Sequence, residues 1–512
     1  MRAANGVRGE IIRQYWHAWR GFFAVSLLLG GGECVWGQQP MIADLRQLQE
    51  TVAAQESRLM QLEAHRLPPT NENRQGYYDV ATNAAIESRL AELESLVHEN
   101  KDKEYEGVKP SLKINGRIHL DWWDFMHDSD GIGFFEHPLG TVPAAAVGTD
   151  PESRFAFRRI RLNFRGDISE AMMYRFDLEF SDPSTPGYRD AWIGFRELPI
   201  LQTVLVGNQK RPIGLDHWNS SNDNLFLERP MVIEAFNEDA RRLGITSYCV
   251  SEAEDYTWQY GVYNLANTAE TGEYLGDSLQ LSANARLTGN PWYDESSGGR
   301  GYFHWGVSGM ASRPDGDVLP GDSNGNEARF RTRAEARSDN RWLNTGRIAG
   351  ATDYEILGLE SILNVGALQV VGEYQHNWTQ RDGGADLEFH GGYVYVAYAL
   401  TGEHVPYDRS KSSIGTLQPF ENFFLVNRCS GERGGGWGAW QVAARYSYLD
   451  LTDDNILGGV GSNMTLALNW YWSANAKLQI NYVTGSIDDH APTGGFTAGN
   501  YSILGTRFMV FF

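Results

Sequence analysis

Cysteine is almost absent from this chain, and lysine is scarce. Three cysteines stand among 512 residues, at Cys34, Cys249 and Cys429. They form no Cys-x-x-Cys pair and no His/Cys spacing of a metal site, so neither a disulfide framework nor a structural zinc centre is expected. Beyond the first forty residues no run of about eighteen apolar residues occurs, which excludes membrane-spanning helices. Positive charge is not in excess either. The 44 Lys and Arg residues face 65 Asp and Glu, a formal charge of -21, and no nucleic-acid partner is expected of such a balance. No Gly-x-Ser-x-Gly elbow or local Ser/His pair occurs, and His119, His127, His376 and His404 are scattered. The sequence therefore offers no catalytic group, no metal site and no cofactor site.

What the chain does contain is aromatic residues at 12% and 56 glycines, and a telling last segment. Leu504-Gly-Thr-Arg-Phe-Met-Val-Phe-Phe512 places Leu504, Thr506, Phe508, Val510 and Phe512 on one side of a strand. Gly505, Arg507, Met509 and Phe511 fall on the other. An exposed aromatic edge strand invites aggregation in a soluble protein. A transmembrane β-barrel ends this way because its last strand closes on its first and its outer face meets lipid. The alternative is a buried terminal strand of a soluble sandwich.

The N-terminus carries a basic stretch ending at Arg20, the apolar segment Phe22–Leu29 and then small residues, the pattern of an export signal cleaved after Gly37. A lipoprotein site at Cys34 is discounted, because Glu33 precedes it. Leu45, Leu48, Val52, Leu59 and Leu62 follow at heptad spacing, with Gln55 in the missing position, and predict a coiled-coil helix over 41–66. Leu67-Pro68-Pro69 ends it. A linker and a second short helix, with Ile86, Leu90, Leu93 and Val97 on one face, occupy 67–109. These helices form an oligomeric stalk or a hairpin lying on their own domain.

From 111 to 512 the pattern becomes short alternating segments separated by Gly, Asn and Asp. The candidates run from Leu112–Phe125 to Ile503–Phe512 and include Ala328–Ala336. Sixteen or seventeen such pieces predict an all-β fold, an antiparallel transmembrane barrel of about sixteen strands with a water-filled lumen. Asp128–Glu152, Ala266–Gly276, Arg313–Asn326 and Tyr407–Gly436 read as outer loops. Cys249 and Cys429 are left either to pair or to stand as buried thiols.

Two arginine clusters carry the chemistry. In Ala328–Arg337, Arg329, Arg331, Arg333 and Arg337 fall at even spacing, with Glu335 in the gap. On a strand all five face one way, with the cations at ~6.6–7 Å intervals. Folding alone does not favour such repulsion, whereas a wet passage for anions does. Arginine suits that task, since it stays charged and presents a planar fork to oxyanions. Only seven of the 44 basic residues are lysine. The bland reading is a stripe that binds an acidic loop or lipid phosphates. In the second cluster, Arg159, Arg161, Asn163 and Arg165 share a face, and Arg158 falls with Ile160, Leu162 and Phe164 on the other, placed at the rim above the lipid band.

The run from Arg154 to Ser251 resembles the phosphate-selective porin O and P family of bacterial outer-membrane porins. The landmarks are Phe157-Arg-Arg-Ile-Arg-Leu162, Tyr174-Arg-Phe-Asp-Leu-Glu179, Asp190-Ala-Trp-Ile-Gly194, Val206-Gly-Asn-Gln-Lys-Arg-Pro-Ile-Gly-Leu215, Leu227-Glu-Arg-Pro230 and Arg241-Arg-Leu-Gly244. The likeness extends over 111–512 and weakens between Gly383 and Gly436. It implies a homotrimer of sixteen-stranded barrels in the outer membrane, its N-terminal helices periplasmic, passing phosphate or other small anions. Arg329, Arg331, Arg333 and Arg337 would be the arginine ladder. Arg158 and Arg159 would be the basic pair at the constriction, and Arg161 and Lys210 would face the pore.

Two departures bear on which anion is preferred. A basic residue expected shortly after Ser220-Ser221 is missing, since Asn222-Asp223-Asn224 follow. The net charge is also strongly negative, although salt screens it beyond ~8–10 Å. A general non-selective porin, a structural tether built on the coiled coil and, third, a barrel enzyme are the competing readings.

Overall fold

Side chains that alternate between apolar and polar build a wall with two different faces, and sixteen such strands close into one antiparallel barrel. The computed structural model describes residues 110–512 apart from 183, 239, 269–278, 317–325 and 428–432. The export signal (1–37), the coiled coil (41–66), the second helix within 67–109 and Cys429 lie outside the described residues. Among those described, no helix is long and apolar enough to cross a membrane.

The strands are β1 Lys113–Asp128, β2 Arg154–Ser169, β3 Met172–Glu179, β4 Gly187–Leu198, β5 Gln202–Lys210 and β6 Arg241–Val250. They continue as β7 Tyr256–Asn264, β8 Leu281–Tyr293, β9 Gly301–Arg313, β10 Ala351–Val365 and β11 Leu368–Arg381. The last five are β12 Leu387–Ala399, β13 Ala439–Asp453, β14 Ile456–Ser473, β15 Ala476–His490 and β16 Gly499–Phe511. Each pairs with its neighbour in sequence, and β16 returns to β1 with Phe508 opposite Leu120 and Val510 opposite Ile118. The aromatic terminus thus has no free edge. The Phe512 amide and carbonyl both bond Gly116, at 3.0 and 2.9 Å.

Ile114, Ile118, Phe155, Phe157, Leu359, Val394, Leu466 and Val510 project from the outer wall and are exposed. Their strand neighbours on the inner face, such as His119, Asp121, Glu360, Gln375, Arg445 and Arg507, are buried and polar. This is the division a lipid-embedded barrel requires. At the seam Arg507 grips Asp121 with two bonds, Nε to Oδ1 at 2.7 Å and Nη2 to Oδ2 at 2.6 Å.

From β1 to β12 the connections alternate in length. Residues 170–171, 199–201, 251–255, 294–300, 366–367 and 474–475 are tight turns at the rim that also holds both ends of the barrel sheet. The connections 129–153, 211–240, 265–280 and 314–350, apart from the residues not described in them, are long and lie at the opposite rim. Two expectations need correction. Ala328–Ala336 is not a barrel strand; it belongs to the 314–350 loop, with only Arg331–Thr332 paired to Leu343–Asn344. Tyr407–Gly436 is not an outer loop, because the 400–438 connection leaves the rim of the short turns, where the termini of the sheet lie.

Three connections fold into the lumen. The 211–240 loop carries the short helices α1 (Leu215–Trp218) and α2 (Met231–Phe236). Ile213, Leu227, Met231, Ile233 and Phe236 from this loop, with Phe330, Trp342 and Leu343 from 314–350, form a dry core. That core packs on Met310, Tyr354, Val371, Phe389 and Ala443 of the β9–β13 wall. The 400–438 segment enters from the other rim. Its Tyr407 hydroxyl lies 2.7 Å from His304 Nδ1, and its Ser412 carbonyl accepts from Arg286 Nη2 at 3.1 Å. One half of the barrel is thereby filled, and the β1–β6 half is left open.

The seam predicts a stability effect. Asp121→Ala leaves the buried Arg507 with Glu228 as its one remaining carboxylate and is expected to cost about 3 kcal/mol in urea unfolding from lipid vesicles. Asp124→Ala, at an exposed contact to Ser153, is expected to cost less than about 1 kcal/mol.

Candidate functional site

The open half of the lumen begins with an irregularity in β2. Its register with β1 slips between His119 and Leu120, so that His119 faces Arg159, Leu120 faces Phe157 and Arg158 has no partner. Such a bulge turns consecutive side chains to the same side. Arg158 and Arg159 therefore both line the lumen, which corrects the placement of Arg158 at the lipid-side rim. Strict alternation cannot reveal a one-residue insertion.

The chamber measures about 1040 Å³. Thirteen basic side chains line it against five acidic ones, Asp190, Asp223, Glu228, Glu234 and Asp408. The cations come from β1 to β6 and from the inward loops. Arg117, Arg175, Arg189, Arg229, Arg241 and Arg341 are among them and were not singled out from the sequence. The signal for several was present, since Arg117-x-His119-x-Asp121 and Arg175-x-Asp177-x-Glu179 set charged residues on alternate positions of a strand.

Most of these cations hold a carboxylate. Arg158 donates to Glu228 from Nε at 2.7 Å and from Nη2 at 3.0 Å. Arg161 pairs with Glu179, Arg241 with Asp190 at 2.9 Å and Arg229 with Asp216 at 3.1 Å. Three arginines have none among the described residues. Arg117 donates only to Ser221 Oγ, at 2.8 Å, Arg159 only contacts His119 Nδ1, at 3.3 Å, and Arg337 has no hydrogen-bond partner. Lys210 Nζ is held by backbone carbonyls alone, those of Trp218 at 2.8 Å and Asn219 at 2.7 Å.

The four arginines of the 329–337 run separate. Their spacing survives locally: Ala328, Phe330, Thr332 and Ala334 are buried and the arginines half-buried. Glu335 breaks the alternation with a φ of 59° and turns to Arg445 Nη2 at 2.5 Å. Arg329 donates to Asn344 Oδ1 at 3.1 Å, Arg331 pairs with Glu238 at 2.6 Å and Arg333 pairs with Glu234 at 3.1 Å. Only Arg333 and Arg337 reach the chamber. Ser220 and Ser221 line it too. No base follows them in sequence, and Arg117 of β1 is the cation that donates to Ser221.

The profile of a family described as phosphate-selective porin O and P matches residues 140–512. The chain belongs to the phosphate-selective porin O and P family. It is an outer-membrane porin by family and by fold. An uncharacterised protein of Caulobacter vibrioides is 26% identical over 377 residues, covering 73% of this chain and 68% of that protein. Porin O of Pseudomonas aeruginosa is 26% identical over 159 residues, 29% of this chain and 33% of Porin O, so the match spans about a third of that relative. Among solved structures, an anion-selective porin from Comamonas acidovorans aligns with a TM-score of 0.45 at 12% identity, covering 78% of this chain and all of that one.

Arg337 provides a charge test within this porin. Its guanidinium is pushed down to about 9, first by Arg158 beside it and then by burial. A guanidinium keeps its charge even so, and the repulsion from Arg158 makes Arg337 a cation that gains by binding an anion. In Arg337→Gln the zero-current potential across a KCl gradient is expected to move toward the cation side at neutral pH.

Proposed function

We propose that this porin gives passive, anion-preferring diffusion to phosphate and similar small oxyanions through the cationic chamber. The observation that carries the reading is the local charge: thirteen basic against five acidic lining residues, in a chain whose net charge is -21. Bulk charge beyond the Debye length of ~8–10 Å is screened, so the chamber sets the potential that an ion meets. Arg117, Arg159, Arg337 and Lys210 offer donors that no carboxylate occupies, and guanidinium forks replace part of an anion's hydration shell. Transit requires that each site also release the ion. Arg158, Arg161 and Arg333 contribute field while paired. Arg329 and Arg331, turned away from the chamber, act at longer range.

Neutralisation of Arg331 and Arg333 by Glu238 and Glu234 favours loose retention of phosphate over tight capture. It also keeps general small-anion diffusion as the second reading. We read the barrel as a channel rather than a catalyst on its family and architecture. We further propose that the porin assembles as a homotrimer, that residues 1–37 direct export, that the 41–66 coiled coil and the helix within 67–109 stand in the periplasm as a stalk, and that the outer wall sits in outer-membrane lipid.

In planar bilayers with a KCl gradient the wild type is expected to give an anion-side potential, and millimolar phosphate is expected to reduce its chloride current. Arg159→Ala/Arg337→Ala is expected to lose most of both effects. Cation selectivity of the wild type contradicts the proposal, and phosphate-insensitive anion current leaves the general anion porin. Native mass spectrometry in detergent is expected to give three chains per particle.

A further inference from the structure

The chamber already holds an oxyanion of its own. Glu228 accepts from Arg158 through both carboxylate oxygens, at 2.7 and 3.0 Å, and from Arg507 Nη2 at 2.9 Å. Its side chain lines the chamber and is 16% exposed. Two-pronged capture by a guanidinium is the geometry with which arginine takes phosphate. Glu228 therefore stands where a transported oxyanion would bind Arg158.

The backbone that delivers this carboxylate is fixed. Arg507 Nη1 bonds the Leu227 carbonyl, and Arg445 Nη1 and Nη2 each donate to the Glu228 carbonyl at 3.2 Å. Only side-chain torsions of Glu228 can move its charge. Beside it stand two of the three guanidiniums without carboxylates, Arg159, which adjoins Arg158 in the bulge, and Arg337, whose strongest electrostatic interaction is with Arg158. An anion can settle on these two and still meet Arg158 in the grip of a tethered competitor.

We propose, resting on the anion-porin reading above, that Glu228 is the specificity-determining residue of the chamber. It is a built-in carboxylate that competes with incoming oxyanions for Arg158, so that phosphate is exchanged rather than retained. Its counterparts differ in placement. Glu234 and Glu238 pair with arginines of the 314–350 loop, whereas Glu228 alone among the chamber carboxylates pairs with the bulge arginine. If Glu228 were only a structural partner for buried Arg158 and Arg507, removing its charge would lower stability and leave phosphate affinity as it was.

The test is phosphate inhibition of chloride current through single barrels in planar bilayers, for wild type, Glu228→Gln and Glu228→Asp. Glu228→Gln keeps an acceptor for both arginines. It is expected to lower the half-inhibiting phosphate concentration at least tenfold, equivalent to about 1.4 kcal/mol. Glu228→Asp keeps the charge but withdraws it from the fork, and is expected to lower that concentration two- to fivefold, which a pure charge effect would not do. Heat-modifiable migration on unboiled gels establishes which variants fold. An unchanged phosphate midpoint in either folded variant, with anion selectivity retained, overturns the role of Glu228 and leaves the porin reading in place. A cation-selective wild type overturns both.

Discussion

Pairing between carboxylates and guanidiniums across the lumen is the interaction on which the remaining architecture depends. Glu228, Glu234 and Glu238 of the 211–240 loop reach Arg158, Arg333 and Arg331. Glu335 of the 314–350 loop reaches Arg445 of β13. These pairs hold two long loops inside the barrel. They also decide which cations are neutralised, and so which remain for a passing ion. A buried pair adds little net stability over an apolar substitute, but an orphaned partner is costly. Such a network therefore specifies an arrangement more than it strengthens one. The three arginines left out of it, Arg117, Arg159 and Arg337, all border the wet chamber, where water keeps an unpaired cation tolerable.

The division of the lumen follows from the same economy. Met231, Ile233 and Phe236 on α2 face the β9–β13 wall, where Tyr354, Phe389 and Val371 receive them. The opposite wall, β1 to β6, offers mostly charged side chains to the chamber, with Met173, Trp192 and Leu205 among the few apolar ones. The inward loops thus pack on one side only. The opening that persists is off-centre and walled by charge, and a net charge of -21 for the whole chain says little about it.

Much of this was legible in the sequence. Each of the sixteen barrel strands overlaps a segment read from period-two alternation, and the closing strand was read from its aromatic face. The seventeenth segment, Ala328–Ala336, alternates as expected and still is not a barrel strand, because alternation reports an extended, half-buried chain and not the surface it lies on. Tyr407–Gly436 reads as an outer loop from its length and composition, and neither property reports the rim from which a connection leaves. Arg158 was misplaced for a related reason, since a single bulge shifts every later side chain by one. The lumen-facing arginines Arg117, Arg175 and Arg241 followed the pattern but carried no local cluster to draw notice. The pairing of Glu228 with Arg158, separated by seventy residues, depends on how a loop folds back and has no local signature.

The most direct measurement is anomalous diffraction from crystals of the folded porin soaked in bromide. The account predicts bromide peaks inside the barrel beside Arg337 and Arg159, and weaker density at Arg158, where Glu228 sits. Bromide confined to the outer surface and the rims, with none beside Arg337 or Arg159, would contradict it.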